Sequence, residues 1–523
     1  MDGESERLRG RLSRLLAEAA EVSAALQKTE HGESGPVRYR EIELAAHQVG
    51  QELSCQVQRQ RIRELAAEAD PQAACPKCGS RCRVSQQKRK LTSIDGPVEV
   101  LEPRAHCSRC QRSFFPQREA LGLDSREQTT LLTERVVHAA AESRSFKRAA
   151  IVLAKVGGNT ISIKTVARIS QDVGKELVQA RDGVASAAPR KNLTSSPEAP
   201  PELAVVQCDG GRIRTRASGQ GPGVHGEAWR ESKNACLVRM SHKVFLSDPQ
   251  PELPAAFCDP LQVAKIAEKQ APEPADVAEI LVGSLPEEER EKPADWRPKR
   301  LVRTCLSSLA CSETFGKQMA RESQVRRFDE APFRAFLGDG LAWNWTIWKQ
   351  HYASYVPILD FIHPLAYLYT AALALEQDYP RAFVRYLQMA RACWQGKVET
   401  VIEELAQALQ QRGVGDEDRL ETSDPRQPLQ EACRYLHNNR DRMDYPRYRQ
   451  SGLPVTTALM ESLVKEINLR VKGTEMFWND PEGAEAILQI RAAALCDDDR
   501  LSRFLATRPG CPFVRRSSLS TAA

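Results

Sequence analysis

Two CxxC pairs constrain this chain more than any other feature. Cys75-Pro-Lys-Cys78-Gly is followed, after 28 intervening residues, by Cys107-Ser-Arg-Cys110. A CxxC turn lets two thiolates grip one ion while backbone amides point at the sulfurs, and zinc takes four such ligands tetrahedrally. Between the pairs, VSQQKRKLTSIDGPVEVLEPRAH alternates like a β-hairpin with an Asp-Gly turn. The spacing predicts a zinc ribbon, with Cys75, Cys78, Cys107 and Cys110 holding one structural zinc ion. Four thiolates leave no open position for a substrate. The competing reading is four unrelated buried cysteines. Cys82 lies outside the pattern, and His106 could replace a ligand, which a complete quartet makes unnecessary. The hairpin would display Lys88, Arg89 and Lys90 on a small platform suited to phosphate contacts, unless the run is simply a solvated face.

The rest of the 523-residue chain is ordinary in composition: 41% hydrophobic, 27% charged, net charge +5, pI near 8.4. Length alone suggests three or four domains at about 150 residues each. A weakly basic balance permits a nucleic-acid partner without demanding one. No run of about 18 apolar residues occurs, so nothing is expected to span a bilayer. The charged start is no secretory signal. Fifteen scattered cysteines fit a reducing cytoplasm better than a disulfide framework. Neither GxxxxGK[ST] nor HExxH is found.

Helical periodicity brackets the ribbon. Leu8, Leu12, Leu15, Ala19, Val22 and Leu26 form a heptad seam over residues 4–28, either docked on the chain itself or making a short dimer contact. A second charged helix is expected over 36–69. Beyond the ribbon, Leu131, Leu132, Val136 and Ala140 mark one helix, and Phe146, Ala149, Ala150 and Leu153 a second that stops at Gly157-Gly158-Asn159. A third follows Ser162 as N-cap, through Val166, Ile169 and Val173. Helix, short glycine turn, helix is the helix-turn-helix layout, and Lys164, Thr165, Arg168 and Gln171 would be exposed on the third helix to reach phosphates and base edges. A plain three-helix bundle would read the same way. Residues 181–201 look like a linker, and the Pro/Glu-rich 268–298 like a solvated excursion.

Three segments then carry isolated carboxylates. LAVVQC runs as a strand into Asp209-Gly210, followed by Arg212, Arg214 and Arg216 alternating on one face. FLG runs into Asp339-Gly340 and an aromatic helix, WNWTIWKQHY. A helix from Thr456 lines up Glu461, Lys465, Asn468 and Lys472 beside an apolar stripe of Met460, Leu463, Val464, Ile467 and Val471, with Glu466 turned away. Singly these are weak signals, because Asp-Gly after a strand is usually a turn. Together, two strand-borne aspartates and a helix-borne glutamate are what a two-metal phosphoryl-transfer site needs. Arg470 and Lys472 would meet substrate phosphates. YVPIL runs into Asp360-Phe-Ile-His363 where the next strand of the same sheet should end.

These motifs, with CPKCG, CSRC, FFP, LGLD, QCDGGRIRTR, GVHGEAWRESKNA, FLGDGLAWNW, ILDFIHPLAYLY, TALMESLVKEINLRVKGTEMFW and GAEAILQIRAA, occur in one order along most of the chain. In them the sequence resembles the ISKra family of bacterial insertion-sequence transposases. The resemblance implies an RNase H-like catalytic domain with Asp209, Asp339 and Glu461 as the triad holding two magnesium or manganese ions. Asp360 and His363 match a supporting Asp-x-x-His element shared with Mutator-like transposases. The expected fold is a multidomain α+β and α/β chain. Its parts are a helical region (1–70), a zinc ribbon (71–120), a helix-turn-helix domain (121–180) and the linker (181–201). Then come the RNase H-like domain (202–371), an α-helical insertion (372–452), the last helices of the catalytic domain (453–508) and a frayed tail (509–523).

The expected function is metal-dependent cleavage of strand ends and their transfer to target DNA. The DNA-contacting residues would be Lys88, Arg89, Lys90, Lys164, Arg168, Arg212, Arg214, Lys465, Asn468, Arg470 and Lys472. The implied partners are double-stranded DNA (terminal inverted repeats and target) and a second copy of the chain, in the bacterial cytoplasm at the nucleoid. The alternatives are a catalytically idle DNA-binding protein derived from a transposase, a zinc-ribbon transcription regulator, and an RNase H-like nuclease that cleaves without joining.

Overall fold

Two charged helices lead the chain. α1 (Asp2–His31) and α2 (Tyr39–Ala67) match the two periodic stretches. Leu8, Leu12, Leu15, Val22 and Leu26 stay exposed along α1, so the heptad seam is not docked on its own chain. The computed structural model describes residues 2–31, 38–186, 199–216, 229–283, 295–415, 418–473 and 477–513. Two compact units emerge, Met1–Ile169 with Ser502–Ala523, and Ser170–Leu501. Among the described residues no helix is long and apolar enough to cross a membrane.

In the first unit, β1 (Gln72–Ala74), β2 (Arg81–Ser93), β3 (Gly96–Cys107) and β4 (Arg112–Phe114) form an antiparallel sheet in that order. Ser93 pairs with Gly96, so the hairpin turns on Ile94-Asp95, and Gly96 takes the φ of +128° that other residues avoid. Cys55 of α2 packs with Leu91, Val98 and Val100 of the hairpin. Three helices follow, α3 (Thr130–Glu142), α4 (Phe146–Lys155) and α5 (Ile163–Ser186), with Leu132, Val136, Ala140, Ala149, Leu153, Val166 and Ile169 buried. α5 runs to Ser186, into the expected linker, where Arg181 reaches Glu485 at 2.5 Å and Asp182 at 2.8 Å. Charged ends hid that continuation; the rest of the linker, 187–198, lies outside the described residues.

The second unit is built on a five-stranded mixed sheet. Its strands are β5 (Leu203–Arg214), β6 (Trp229–Met240), β7 (Arg300–Ser308), β8 (Phe333–Gly338) and β9 (Val356–Leu359), in the order β7-β6-β5-β8-β9. β5–β6 and β6–β7 are antiparallel; β5–β8 and β8–β9 are parallel. The run LAVVQC is buried throughout, as a central strand covered on both faces must be. Between β6 and β7 lie α6 (Pro260–Ile266) and α7 (Pro274–Gly283). α8 (Ser312–Val325) precedes β8, and α9 (Ala342–His351) follows it. Phe315 and Met319 of α8 and Ile347 of α9 pack on Ala204, Val206 and Cys208, with Trp343, Trp345 and Trp348 at the margin.

A helical bundle follows β9: α10 (Ile362–Leu375), α11 (Tyr379–Trp394), α12 (Val398–Gln411), α13 (Gln427–Asn439) and α14 (Tyr445–Gln450). It begins ten residues before the expected 372, because α10 itself packs on α11 and α13. The excursion is not simply solvated. Within it α7 packs on α11, and Trp296 is buried and donates to Gln250 at 2.5 Å. Its many prolines and glutamates obscured those apolar anchors; 284–294 lie outside the described residues. The chain returns through α15 (Ala458–Val471), which lies on β5 and β6, and α16 (Pro481–Ala494), which lies on β7. α17 (Arg500–Thr507) leads to a tail that is not frayed at its start. There Phe115 donates to the Pro512 carbonyl at 2.7 Å, and Arg112 covers the Phe513 ring at 4.0 Å.

Candidate metal centre and active site

The four expected cysteines converge. The Sγ atoms of Cys75, Cys78, Cys107 and Cys110 all lie within 4.8 Å of one another, a set that can hold a metal ion such as zinc. Tight turns build each half. Gly79, at φ +73°, donates to the Cys75 carbonyl at 2.8 Å, and the Cys110 amide donates to the Cys107 sulfur at 3.4 Å. Cys107 and Phe114 are fully buried beneath. The thiols do not share protons evenly. The Ser80 hydroxyl, chiefly, draws Cys78 down to about 6, and Cys78 in turn drives Cys110 up to about 12. Four clustered thiolates repel, and a divalent cation is what lets all of them ionise. Cys82 is outside the set and donates to the Ser80 carbonyl.

The basic triplet divides by strand alternation. Lys88 and Lys90 are exposed, and Lys88 pairs with Glu99 at 3.2 Å. Arg89 points the other way, where its side chain is 11% exposed, holds Glu102 at 3.0 Å and donates to the Asp124 and Arg126 carbonyls. Arg118 grips the same Glu102 at 2.6 Å. Arg89 is therefore a core ion-pair residue and not a DNA contact, as a period of two in the strand dictates. On α5, Lys164 and Arg168 are exposed. The Ser162 hydroxyl accepts from the Thr165 amide at 3.2 Å, as an N-cap does, and Asn159 in the turn donates to the Ile94 carbonyl at 2.9 Å.

In the second unit the sheet register sets the acidic residues. β5 and β8 pair from Leu203↔Phe333 to Gln207↔Leu337, and Asp209 and Asp339 each lie two residues beyond that last pair. β8 and β9 pair to Gly338↔Leu359, and Asp339 and Asp360 come next. Asp339 and Asp360 thus follow the carboxyl ends of β8 and β9, where ligands of open α/β sheets gather, and Asp209 lies level with them on β5, which does not end there as the sequence suggested but runs on to Arg214 paired with β6. Burial, and then the charge of Asp339, push the Asp209 carboxyl up to about 6. Burial raises Asp339 too. Asp339 Oδ1 accepts from the Leu341 amide at 2.9 Å and from Asn344 Nδ2 at 2.5 Å.

Asp360 is fully buried, and its two oxygens have different partners. One accepts from the Thr457 amide at 2.9 Å, the other from His363 Nδ1 at 2.6 Å. Burial alone would lower His363. The bond to Asp360 and the charges of Asp360, Asp339 and Asp209 outweigh it and lift the imidazole to about 9, so it is protonated at neutral pH. Thr457 is the residue before α15, so Asp360 fixes the start of the helix that carries Glu461. Glu461 itself is part-exposed and pairs with Lys465 at 3.6 Å. Among the described residues, the cysteine quartet is the one group of three or more metal-ligating side chains gathered within 4.8 Å, so the three carboxylates of the expected triad are not drawn that close.

The neighbouring cations also sort. Arg212 and Lys472 are exposed, and Lys465 strongly so. Asn468 is half-buried. Arg214 lies over the Trp229 ring at 4.6 Å, and Lys472 Nζ is 5.8 Å from the same ring. Arg470 is only 2% exposed, beside Trp478 at 5.5 Å. Burial, and then Arg491, lower it to about 10. It belongs to the packing under α15 and not to a phosphate-facing surface, because it follows Leu463 and Ile467 on the buried stripe. Glu466 faces away, paired with Arg303 at 3.1 Å.

Three residues of this site were given no role by the sequence. Asn344, fully buried between two tryptophans of α9, is signalled only by being polar in an apolar run. Tyr435 donates to the Asp339 carbonyl at 2.7 Å from 96 residues away, and Thr457 presents a backbone amide. Neither has a local sequence signal. No family model matches the chain, and no curated protein matches it.

Proposed function

We propose that the chain is a DNA transposase in which the first unit binds the terminal repeats of its element and the second cuts and joins DNA. The observation that carries this reading is the register that sets Asp209, Asp339 and Asp360 level with one another on three adjacent strands, with Asp360 also holding the cap of the Glu461 helix. A five-stranded mixed sheet bearing such carboxylates supports an RNase H-like domain, and α10–α14 stand where its helical insertion is expected.

Asp209, Asp339 and Glu461 would hold two magnesium or manganese ions. Bound there, such ions activate the attacking oxygen and stabilise the leaving one. The chain's own residues prepare the site. Burial raises the proton affinity of Asp209 and Asp339, which a divalent cation overcomes by compensating their charge. Protonated His363 offsets part of the negative charge and keeps Asp360 oriented toward α15. Asn344 and the Leu341 amide fix one oxygen of Asp339, leaving the other to a ligand. Lys90, Lys164, Arg168, Arg212, Lys465 and Lys472 are the exposed or half-exposed cations available to phosphates.

The second reading is an idle DNA-binding protein, and the Glu461–Lys465 pair favours it, since that carboxylate already has a partner. Purified protein with DNA carrying the repeats that flank its gene separates the two. The transposase reading expects binding by wild type and by Glu461→Gln alike, with magnesium-dependent cutting and 3′-end joining by wild type alone. Binding without cutting would establish the idle reading. Cutting without joining would make the protein a nuclease.

A further inference from the structure

The helical bundle does more than interrupt the sheet. Its last long helix, α13, reaches the turn that follows β8. The Tyr435 hydroxyl donates to the Asp339 carbonyl at 2.7 Å. The next residue, Gly340, has φ of +99°, and a Cβ there would come within 2.8 Å of the Tyr435 ring and hydroxyl. Only glycine lets the backbone turn that carbonyl toward α13 with the ring so close.

The same tyrosine is braced from a second side. Its ring stacks on Tyr367 of α10, with centroids 4.0 Å apart and planes 16° from parallel. Tyr367 is one helical turn beyond His363, the residue bonded to Asp360. The Asp360 amide in turn donates to the Gly338 carbonyl at 2.9 Å, one residue before Asp339. The contacts therefore close a ring: Asp339, Tyr435, Tyr367, α10, Asp360 and back to the end of β8. A second tie runs from α9 to α13, where Trp345 Nε1 donates to Asn439 Oδ1 at 3.1 Å.

The geometry points to Tyr435 as a positioning residue through which the helical bundle sets the direction of the Asp339 carboxylate. A carbonyl held by the hydroxyl fixes the Asp339–Gly340 peptide plane. That plane, with the β8 strand on the other side, fixes the Cα–Cβ direction of Asp339. The inference rests on the metal-dependent reading of the site. It adds that the site is completed by α13, so that displacing this helix would unset the aspartate without touching it.

The test uses full-length, zinc-loaded protein and the variant Tyr435→Phe, which keeps the stacked ring and removes the hydroxyl. Manganese binding is titrated calorimetrically without DNA, and cleavage is timed in single turnovers at saturating DNA. Tyr369→Phe, which removes a hydroxyl bonded to Tyr379 in the same bundle, is the control. Loss of one hydrogen bond of ordinary strength should weaken manganese binding and slow cleavage by roughly fivefold each. DNA affinity and melting temperature should stay near wild type, and the control should match wild type throughout. A lower melting temperature with unchanged manganese affinity would make the hydroxyl merely structural and overturn the positioning role. Equal manganese binding by wild type and Tyr435→Phe overturns it as well. If Asp209→Asn binds manganese as well as wild type, the reading of the site itself fails, and the positioning role with it.

Discussion

Asp209→Asn should make the metal-free protein more stable, because the native carboxylate sits where ionising is costly. Burial and the neighbouring Asp339 charge raise its pKa from 3.8 to about 6. At about 1.36 kcal/mol per unit, that shift costs roughly 3 kcal/mol once both folded and unfolded states have lost the proton. Asp209 is only part-buried, so solvent screens part of that cost and about 2 kcal/mol is expected. The folded state holds the proton more tightly, so stability falls as pH rises from about 4 to about 6 and stays low above that. The amide cannot ionise, and its oxygen can still accept from the Gly210 amide, as the carboxylate does at 2.6 Å. The assay is thermal melting of the second unit's transition in chelator, at pH 4 and at pH 8. The variant should melt roughly 4 °C above wild type at pH 8, and the gap should close toward pH 4. Saturating manganese should raise the wild-type melting point and leave the variant unmoved. A variant less stable than wild type at pH 8, or a gap independent of pH, would show that the Asp209 carboxylate is not destabilised by its surroundings.

Other perturbations probe the remaining parts. Cys107→Ser should release zinc from zinc-loaded protein, detected by metal analysis, and melt the ribbon, since this ligand is packed in one buried cluster with Phe114; a folded, zinc-retaining variant would contradict the quartet. Arg89→Ala should cost about 2 kcal/mol in urea denaturation by stripping a partner from buried Glu102, whereas Lys90→Ala should leave stability within about 0.5 kcal/mol and lower the salt dependence of DNA binding by about one ion. Gly174→Ala should destabilise the second unit by about 1–3 kcal/mol, because a Cβ there would run into the Ala486 carbonyl of α16; an unchanged urea midpoint would show that the helices can part without cost.

How much of this was legible follows from the range of each interaction. The cysteine quartet, the hairpin between its halves and the three helices behind it are local patterns, and they stand where spacing put them. The ends of β8 and β9 before Asp339 and Asp360 were legible for the same reason, whereas β5 runs past Asp209 to Arg214 because its far half pairs with β6, a partner distant in sequence. Arg89 and Arg470 were misjudged because a run of basic residues was read as one surface. Strand alternation buries the first, and the apolar stripe of α15 buries the second. The self-docked reading of the heptad seam, the solvated excursion and the early end of α5 depended on distant packing that composition does not encode. Tyr435 and Thr457 were invisible on the same ground, since each acts through partners about 96 residues away.

Asp209 and Asp339 are proposed to serve metal-dependent cleavage of DNA. The most direct measurement is the single-turnover rate at which wild type and Asp339→Asn nick terminal-repeat DNA in magnesium and in chelator. Cutting by wild type in magnesium alone is expected, with a loss of roughly a thousandfold or more in Asp339→Asn and equal DNA binding by both. Nicking by Asp339→Asn at the wild-type rate, or by wild type in chelator, would contradict it.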